Sequence, residues 1–370
     1  MRVRVENGIM HHKLLLGSTA LVGASLLLAN TVAAQEFEVS LQGYTEFGLT
    51  GATEETFFNN DESNRGYGFF MDNEIHILAD GEANGVLYGS YVELEVYKDN
   101  YQGGSDSGAD EANLYFSGGF GRIELGRNDG AEDLMFVGAE DAQAGTGGLD
   151  GDTRNLGLIN IFDSDDAAKA TYFTPRIAGF QLGVSYIPDT GDNASSRTAA
   201  SGNVTDTNDA DIEEFFGGGV NWTGAFGAVD MILSAVGAWG DGESDDIDDV
   251  KDWSVGGRLG AGGLQFGVTY GSRNVTIVGA DNFEAEFGSL GLKYGFGPAN
   301  VSVGFERDWF DDLDDNNIFV VSGDIGILPG VVMKADVSYA TDDPFGDSDG
   351  AGDPESDDTL SGVLTVQVNY

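Results

Sequence analysis

Seven short connections, each containing glycine or proline, alternate strictly with eight longer polar segments, and this rhythm constrains the fold more than any other feature of the chain. The short joints are Gly81 to Gly85, Gly118-Gly119, Arg176 to Gly179, Gly224, Gly260 to Gly263, Gly295 to Pro298, and Leu328-Pro329-Gly330. The long segments lie near 51–65, 99–110, 128–167, 188–211, 240–249, 273–281, 310–316 and 341–357. Between them run sixteen stretches with an apolar–polar period of two, the signature of strands. In the last, Leu360, Gly362, Leu364, Val366, Val368 and Tyr370 share one face; Thr359, Ser361, Val363, Thr365, Gln367 and Asn369 share the other. Alternation alone also fits a soluble sandwich. Short turns at one end and long loops at the other fit an up-and-down transmembrane barrel, because Greek-key crossings have no reason to keep that order. In lipid only a closed barrel satisfies every strand N–H and C=O, so the apolar faces are expected outwards and the polar faces in the lumen. Phe69, Tyr97, Trp239, Trp309 and Tyr370, near strand ends, are candidates for interfacial aromatic girdles.

The first segment reads as an export signal: Lys13, an apolar run from Leu14 to Ala29, and Val32-Ala33-Ala34 before Gln35. The alternative, a membrane anchor, is disfavoured by the short, Gly/Ser-containing run. Met10-His11-His12-Lys13 would start such a signal by itself, so translation from Met10 is a second reading of residues 1–9. The expected organisation is a signal at 1–34 and one barrel domain at 35–370, exported to the cell outer membrane. Without Arg2, Arg4, Lys13 and Glu6 the chain keeps 14 of its 17 basic and 62 of its 63 acidic residues, a formal charge of −48. That charge excludes nucleic acid and anionic headgroups as natural partners and favours a lumen that concentrates cations. No cysteine is present, so no disulfide framework supports an exported chain.

Catalytic constellations are not found. Of three histidines, His11 and His12 lie in the leader; His76 shares parity with Asp72, Glu74 and Asp80 and is expected to face the lumen, without a serine or paired-carboxylate motif beside it. No enzyme activity is expected, and no cofactor. The acidic clusters Asp245-Asp246-Ile247-Asp248-Asp249, Asp311-Asp312-Leu313-Asp314-Asp315 and Asp342 to Asp358 offer oxygen donors for Ca²⁺ or Mg²⁺ that could bridge to lipopolysaccharide. None carries a complete calcium-loop pattern, and solvated acidic loops are the alternative.

Three places resemble the Gram-negative trimeric porins, especially the alphaproteobacterial group. The strand ending in Tyr370 resembles the C-terminal signal read by the outer-membrane assembly machinery; Ile123-Glu124-Leu125-Gly126-Arg127-Asn128 resembles the strand end before the porin constriction loop; Ala170-Thr171-Tyr172-Phe173-Thr174-Pro175 with Gly179-Phe180-Gln181-Leu182 resembles the strand pair after it. The resemblance implies a sixteen-stranded barrel, a homotrimer, passage of small hydrophilic solutes, and a third loop folded into the lumen. Segment 128–167 is both the third and the longest, and a loop of this length calls for a function. Its Leu134, Met135, Phe136, Leu156, Leu158, Ile159 and Phe162 give it apolar surface to bury against the wall; a surface loop with its own packing is the alternative. In such porins acidic loop residues face a basic wall. The acidic candidates are Glu132, Asp133, Glu140 and Asp141; the basic ones are Arg127, Arg122 and Lys98, with Arg258 and Lys334 behind them. Too few basic residues remain to balance the carboxylates, so a cation-preferring channel is expected. A sugar-, phosphate- or chelate-specific channel and a secreted acidic β-sandwich remain as alternatives.

Overall fold

All sixteen stretches form strands in the computed structural model, and the last pairs with the first to close the ring. The structure describes residues 37–52, 67–99, 105–153, 158, 160–190, 212–242, 247–277, 283–311, 315–341 and 358–370. The leader and most of the outer acidic segments lie outside these residues.

The strands are β1 (Glu38–Ala52), β2 (Tyr67–Ala83), β3 (Val86–Asp99), β4 (Ser105–Gly118), β5 (Gly121–Arg127), β6 (Ala168–Phe173), β7 (Phe180–Asp189) and β8 (Ile212–Phe226). They continue as β9 (Val229–Gly242), β10 (Ile247–Ala261), β11 (Leu264–Ile277), β12 (Phe283–Phe296), β13 (Ala299–Phe310), β14 (Asn316–Leu328), β15 (Val331–Thr341) and β16 (Thr359–Asn369). Each pairs antiparallel with its sequence neighbours, so every contact between neighbouring strands is a hairpin except the closing one. There Tyr44 to Ala52 run opposite Asn369 to Ser361, and Gly43 and Tyr370 exchange two backbone hydrogen bonds of 3.0 Å. The final residue thus completes the seam.

The seven short turns are tight because the chain supplies residues for them. Asn84 (φ 54°) and Gly85 (φ 78°) both take the left-handed conformation, which matches the twist of the flanking strands. At the long-loop ends the ladder outruns the alternation: β4 begins at Ser105 rather than near 111, and β11 reaches Ile277 rather than 272. Past the hydrocarbon both faces of a strand meet water, so backbone pairing continues where the apolar–polar signal has stopped.

The faces divide as the period requires. On β16, Leu360, Leu364, Val366 and Val368 are exposed outwards, while Thr359, Ser361, Thr365 and Gln367 are buried inwards. Aromatic pairs cluster at both strand ends: Phe216 stacks on Trp239 (5.3 Å) near the long loops, and Tyr294 stacks on Phe296 (6.0 Å) near the short turns. Phe69, Trp239, Trp309 and Tyr370 all expose their rings on the outer surface. The apolar cores lie inside the barrel, between its wall and the segment that joins β5 to β6.

Candidate functional site

The β5–β6 segment enters the barrel and lies along its inner wall. Its described residues contain one short helix, α1 (Ala131–Leu134), and two 3-10 turns, Glu140–Ala142 and Gly148–Asp150, which pack on β6 to β9 and β11 to β15. A segment with so little regular structure needs partners for its amides, and inward hydroxyls from successive odd-numbered strands supply them. Ala131 N–H donates to Ser185 Oγ (2.8 Å), Val137 to Ser234 (2.9 Å), Ala139 to Thr269 Oγ1 (2.9 Å) and Ala144 to Ser302 (2.8 Å). At the tip Thr146 donates both its N–H (2.7 Å) and its hydroxyl (2.5 Å) to Asp336 Oδ2. On the return limb Phe162 N–H donates to Asp252 Oδ2 (2.8 Å), and Arg273 Nε donates to the Asn160 carbonyl (2.7 Å).

Burial adds to the hydrogen bonds. Met135, Phe136, Leu158 and Ile161 pack on inward Ile187, Ile212, Phe215 and Phe287, while Leu149 packs on Ile318 and Val320. The segment also lies so close to the wall that only glycine fits beneath it. Gly267, Gly291 and Gly304 face one another directly across β11, β12 and β13. A Cβ at Gly267 would meet the Gly138 carbonyl oxygen at 2.4 Å, and one at Gly291 the Ala139 oxygen at 2.2 Å. A second row, Gly183 and Gly219, makes room for Met135.

The helix and 3-10 turns of the segment leave one arc of the ring uncovered, β16 with β1 to β3. Its inner face presents Glu46, Asp72, Glu74, His76 and Glu93, while Glu111 on β4 stands beside Asp129 and Asp166 of the loop root. Towards the short turns a cavity of about 840 Å³ opens under the segment. It is lined by Arg122, Arg176, Arg258, Lys293 and Lys334 together with Glu140, Asp141, Asp150 and Asp324. A closed sixteen-stranded barrel narrowed by an inward segment of charged residues can pass water and small solutes and set their charge preference. Residues 17–368 match the family model described as Gram-negative porin.

The chain belongs to the Gram-negative porin family. It is 22% identical over 416 residues to an uncharacterized protein of Rickettsia conorii, covering 88% of this chain and 92% of that protein. Among solved structures it is similar to an anion-selective porin from Comamonas acidovorans (TM-score 0.62, 13% identity, 90% of this chain and 100% of that one). It is also similar to a loop-deletion mutant of the Vibrio cholerae outer membrane protein OmpT (TM-score 0.62, 14% identity, 90% and 99%). Family and fold are those of an outer-membrane channel rather than an enzyme.

The porin loop distributes the residues singled out by sequence unevenly. Glu140 and Asp141 line the cavity, and Asp141 Oδ2 also accepts the Gly138 N–H (2.8 Å). Glu132, expected to face the lumen, is fully buried: its Oε1 accepts the Ser164 hydroxyl (2.6 Å) and N–H (3.1 Å), joining the two limbs of the loop. Asp133 follows it in α1, half-buried. Helical spacing explains the split, because adjacent residues in one turn point about 100° apart. Arg122 lines the cavity, pairs with Glu124, and lies over the Tyr115 ring at 4.4 Å. Arg127 sits at the loop root instead, where Nε donates to the Asp166 carbonyl (3.0 Å) and Nη1 to the Ala109 carbonyl (2.9 Å). It ends β5, where the unpaired carbonyls of the loop start and finish. Lys98 stands opposite Asp72 and Asp106 in register, and its side chain lies outside the described residues. Arg258 and Lys334 both line the cavity, Lys334 donating to Glu46 Oε2 (3.0 Å). Of the acidic cluster at 311–315, Asp311 is exposed and Asp315 binds Arg307 Nη2 (2.6 Å); Asp312 and Asp314 lie outside the described residues.

Sequence reasoning placed Asp72 and Glu74 on the lumen face beside His76 but missed the glycine rows, Lys293, Arg176, Glu93 and Glu111. Strand parity gives the inward face for Lys293, Glu93 and Glu111 but not their height in the pore, and Arg176 lies in a turn, where parity gives no face. It also missed a group that could hold a metal at the loop root, Glu111, Asp129 and Asp166, each with a carboxylate oxygen within 4.8 Å of the others.

Burial holds four loop carboxyls above the usual carboxylate range: Glu132, Asp152 at about 6, Asp163, and Asp166 at about 8. Neighbouring carboxylates add to the effect, Glu46 at Asp152, and Asp110 and Asp129 at Asp166. A raised folded pKa means that the folded state holds more protons than the unfolded chain, so stability falls with rising pH. The window runs from about pH 4, the ordinary Asp value, to about pH 8. The thermal midpoint, read from loss of the compact gel mobility, should therefore drop steadily across that range. A midpoint that rises from acid to neutral pH would show that the docked loop carries these carboxyls ionised.

Proposed function

We propose that this porin is a general diffusion channel for ions and small hydrophilic solutes, that it prefers cations, and that it assembles as a homotrimer. The observation that carries the preference is the uncovered arc, where the inner face of β1 to β3 carries Glu46, Asp72, Glu74, Glu93 and Glu95, with His76 and, opposite Asp72 in register, Lys98 as its basic residues. Five basic side chains line the cavity, and two of them, Arg122 and Lys334, are paired to Glu124 and Glu46. Carboxylates focused in a narrow, low-dielectric passage raise the local concentration of counter-ions. One similar structure is described as anion-selective, so the fold leaves the sign to the side chains. The trimer reading is supported by a similar Vibrio cholerae structure described as a trimer form (12% identity, TM-score 0.59) and by the apolar outer face. On the same reading the leader is removed at Gln35, the strand ending at Tyr370 addresses the assembly machinery, and the outer acidic segments meet divalent ions and lipopolysaccharide.

The test is a reversal potential across a planar bilayer in a KCl gradient. Cation preference is expected, and it should weaken as the solution is acidified through the carboxylate range. An anion-selective reversal potential defeats the proposal while leaving the channel intact.

A further inference from the structure

The inner face of β2 and β3 brings two carboxylates onto one imidazole. Glu74 and His76 are two residues apart on β2 and so share a face. In the β2–β3 register His76 stands directly opposite Glu93, and a bulge at Asn73/Glu74 shifts Glu74 to pair with Glu95. His76 Nε2 then lies 2.9 Å from Glu74 Oε2 and 3.4 Å from Glu93 Oε2, and one donor atom of each residue lies within 4.8 Å of the other two. Ligands held at 2.0–2.1 Å by a tetrahedral ion are about 3.3–3.4 Å apart. The imidazole and the carboxylates already stand near that separation.

Two hydroxyls fix the carboxylates. Tyr44 OH donates to Glu74 Oε1 (2.6 Å), which leaves Oε2 turned towards the imidazole, and Tyr91 OH donates to Glu93 Oε2 (2.5 Å). The Tyr91 ring stands edge-on to His76 at 5.7 Å between centroids. Outer partners of this kind hold metal ligands in orientation. Charge decides between an ion pair and an ion site. A protonated imidazole offsets only one of the two carboxylates, whose side chains are 13% and 3% exposed. A dication with neutral histidine balances Glu74 and Glu93 completely.

We propose that Glu74, His76 and Glu93 bind a divalent first-row transition-metal ion on the lumen wall, through imidazole Nε2 and one oxygen from each carboxylate. The nitrogen donor sets this trio apart from the all-oxygen group at Glu111, Asp129 and Asp166, which suits hard cations, and it favours ions such as Zn²⁺ over Ca²⁺ or Mg²⁺. The proposal rests on the channel reading only for the ion's access from solution.

Protein purified from outer membranes without an affinity tag is titrated with ZnCl₂ by calorimetry, with CaCl₂ as the competitor. One Zn²⁺ per chain that excess Ca²⁺ does not displace is expected. His76→Gln and Glu93→Gln should each weaken binding at least tenfold, and Tyr44→Phe or Tyr91→Phe about 10–100-fold. Heat-modifiable gel mobility checks that each variant is folded. Cu²⁺ bound to the unmodified protein should show hyperfine coupling to one imidazole nitrogen, which requires no variant at all. Binding no tighter for Zn²⁺ than for Ca²⁺, unchanged affinity in a folded His76→Gln, or a Cu²⁺ spectrum without nitrogen coupling would each overturn the proposal and leave the trio an ion pair. Conductance is recorded separately: a conducting protein without the Zn²⁺ site refutes this inference alone, and a Zn²⁺-binding protein that does not conduct refutes the channel reading alone.

Discussion

Replacing Gly267 and Gly291 together with leucine should expel the loop from the lumen and raise single-channel conductance severalfold. The loop backbone lies directly on these two residues, so a side chain at either position takes the volume that Gly138 and Ala139 occupy. Overpacking costs about 1–3 kcal/mol per site, and the two sites are adjacent across β11 and β12, so their effects act on the same stretch of loop. The ladder itself does not need glycine there, since other strand positions carry large side chains. The barrel should therefore keep its heat-modifiable mobility while the loop becomes sensitive to protease. If the double variant conducts like the parent, the loop tolerates displacement without opening the pore, and its role as the constriction is refuted.

Replacing Glu132 with leucine should destabilise the docked loop by about 1–3 kcal/mol for each buried donor it leaves without an acceptor. Ser164 would lose the acceptor for its hydroxyl and its N–H, and Lys169, whose ammonium donates to the Asn128 and Asp165 carbonyls, would lose a nearby carboxylate. Glu132→Gln keeps an acceptor oxygen and should cost far less. The contrast separates two roles for this residue. A lumen-facing Glu132 would change ion selectivity in both variants and leave the thermal midpoint alone. A buried bracket changes the midpoint in the leucine variant and leaves the selectivity of the glutamine variant close to that of the parent. Selectivity lost without a change in midpoint would refute the bracket.

The barrel was legible because each strand faces two solvents. Lipid outside and water inside impose a period of two, and the unequal ends of the barrel impose the alternation of short turns with long segments. The loop's direction was legible from its length and from apolar residues such as Met135, Phe136 and Leu158, which an external loop would have no surface to bury against. The individual roles of its carboxylates were not. Glu132, Asp133, Glu140 and Asp141 have the same chemistry in sequence, and the turn of a short helix buries the first while the 3-10 turn carries the third and fourth to the cavity. Arg127 was misplaced for a related reason: its strand parity gives a face, whereas its height at the end of β5 puts it beside backbone carbonyls at the loop root.

The sequence by itself determined that the chain closes into a sixteen-stranded barrel, which face of each strand meets lipid, and that the third long segment is the one with something to bury. Tertiary structure alone decided which charges meet. Glycines 267, 291 and 304 are scattered by 24 and 13 residues in sequence and become one row only when three strands pair in register. Glu74, His76 and Glu93 likewise converge through the β2–β3 register and its bulge. Periodicity encodes a direction, in or out; register and loop path encode position, and electrostatics in a pore depends on position.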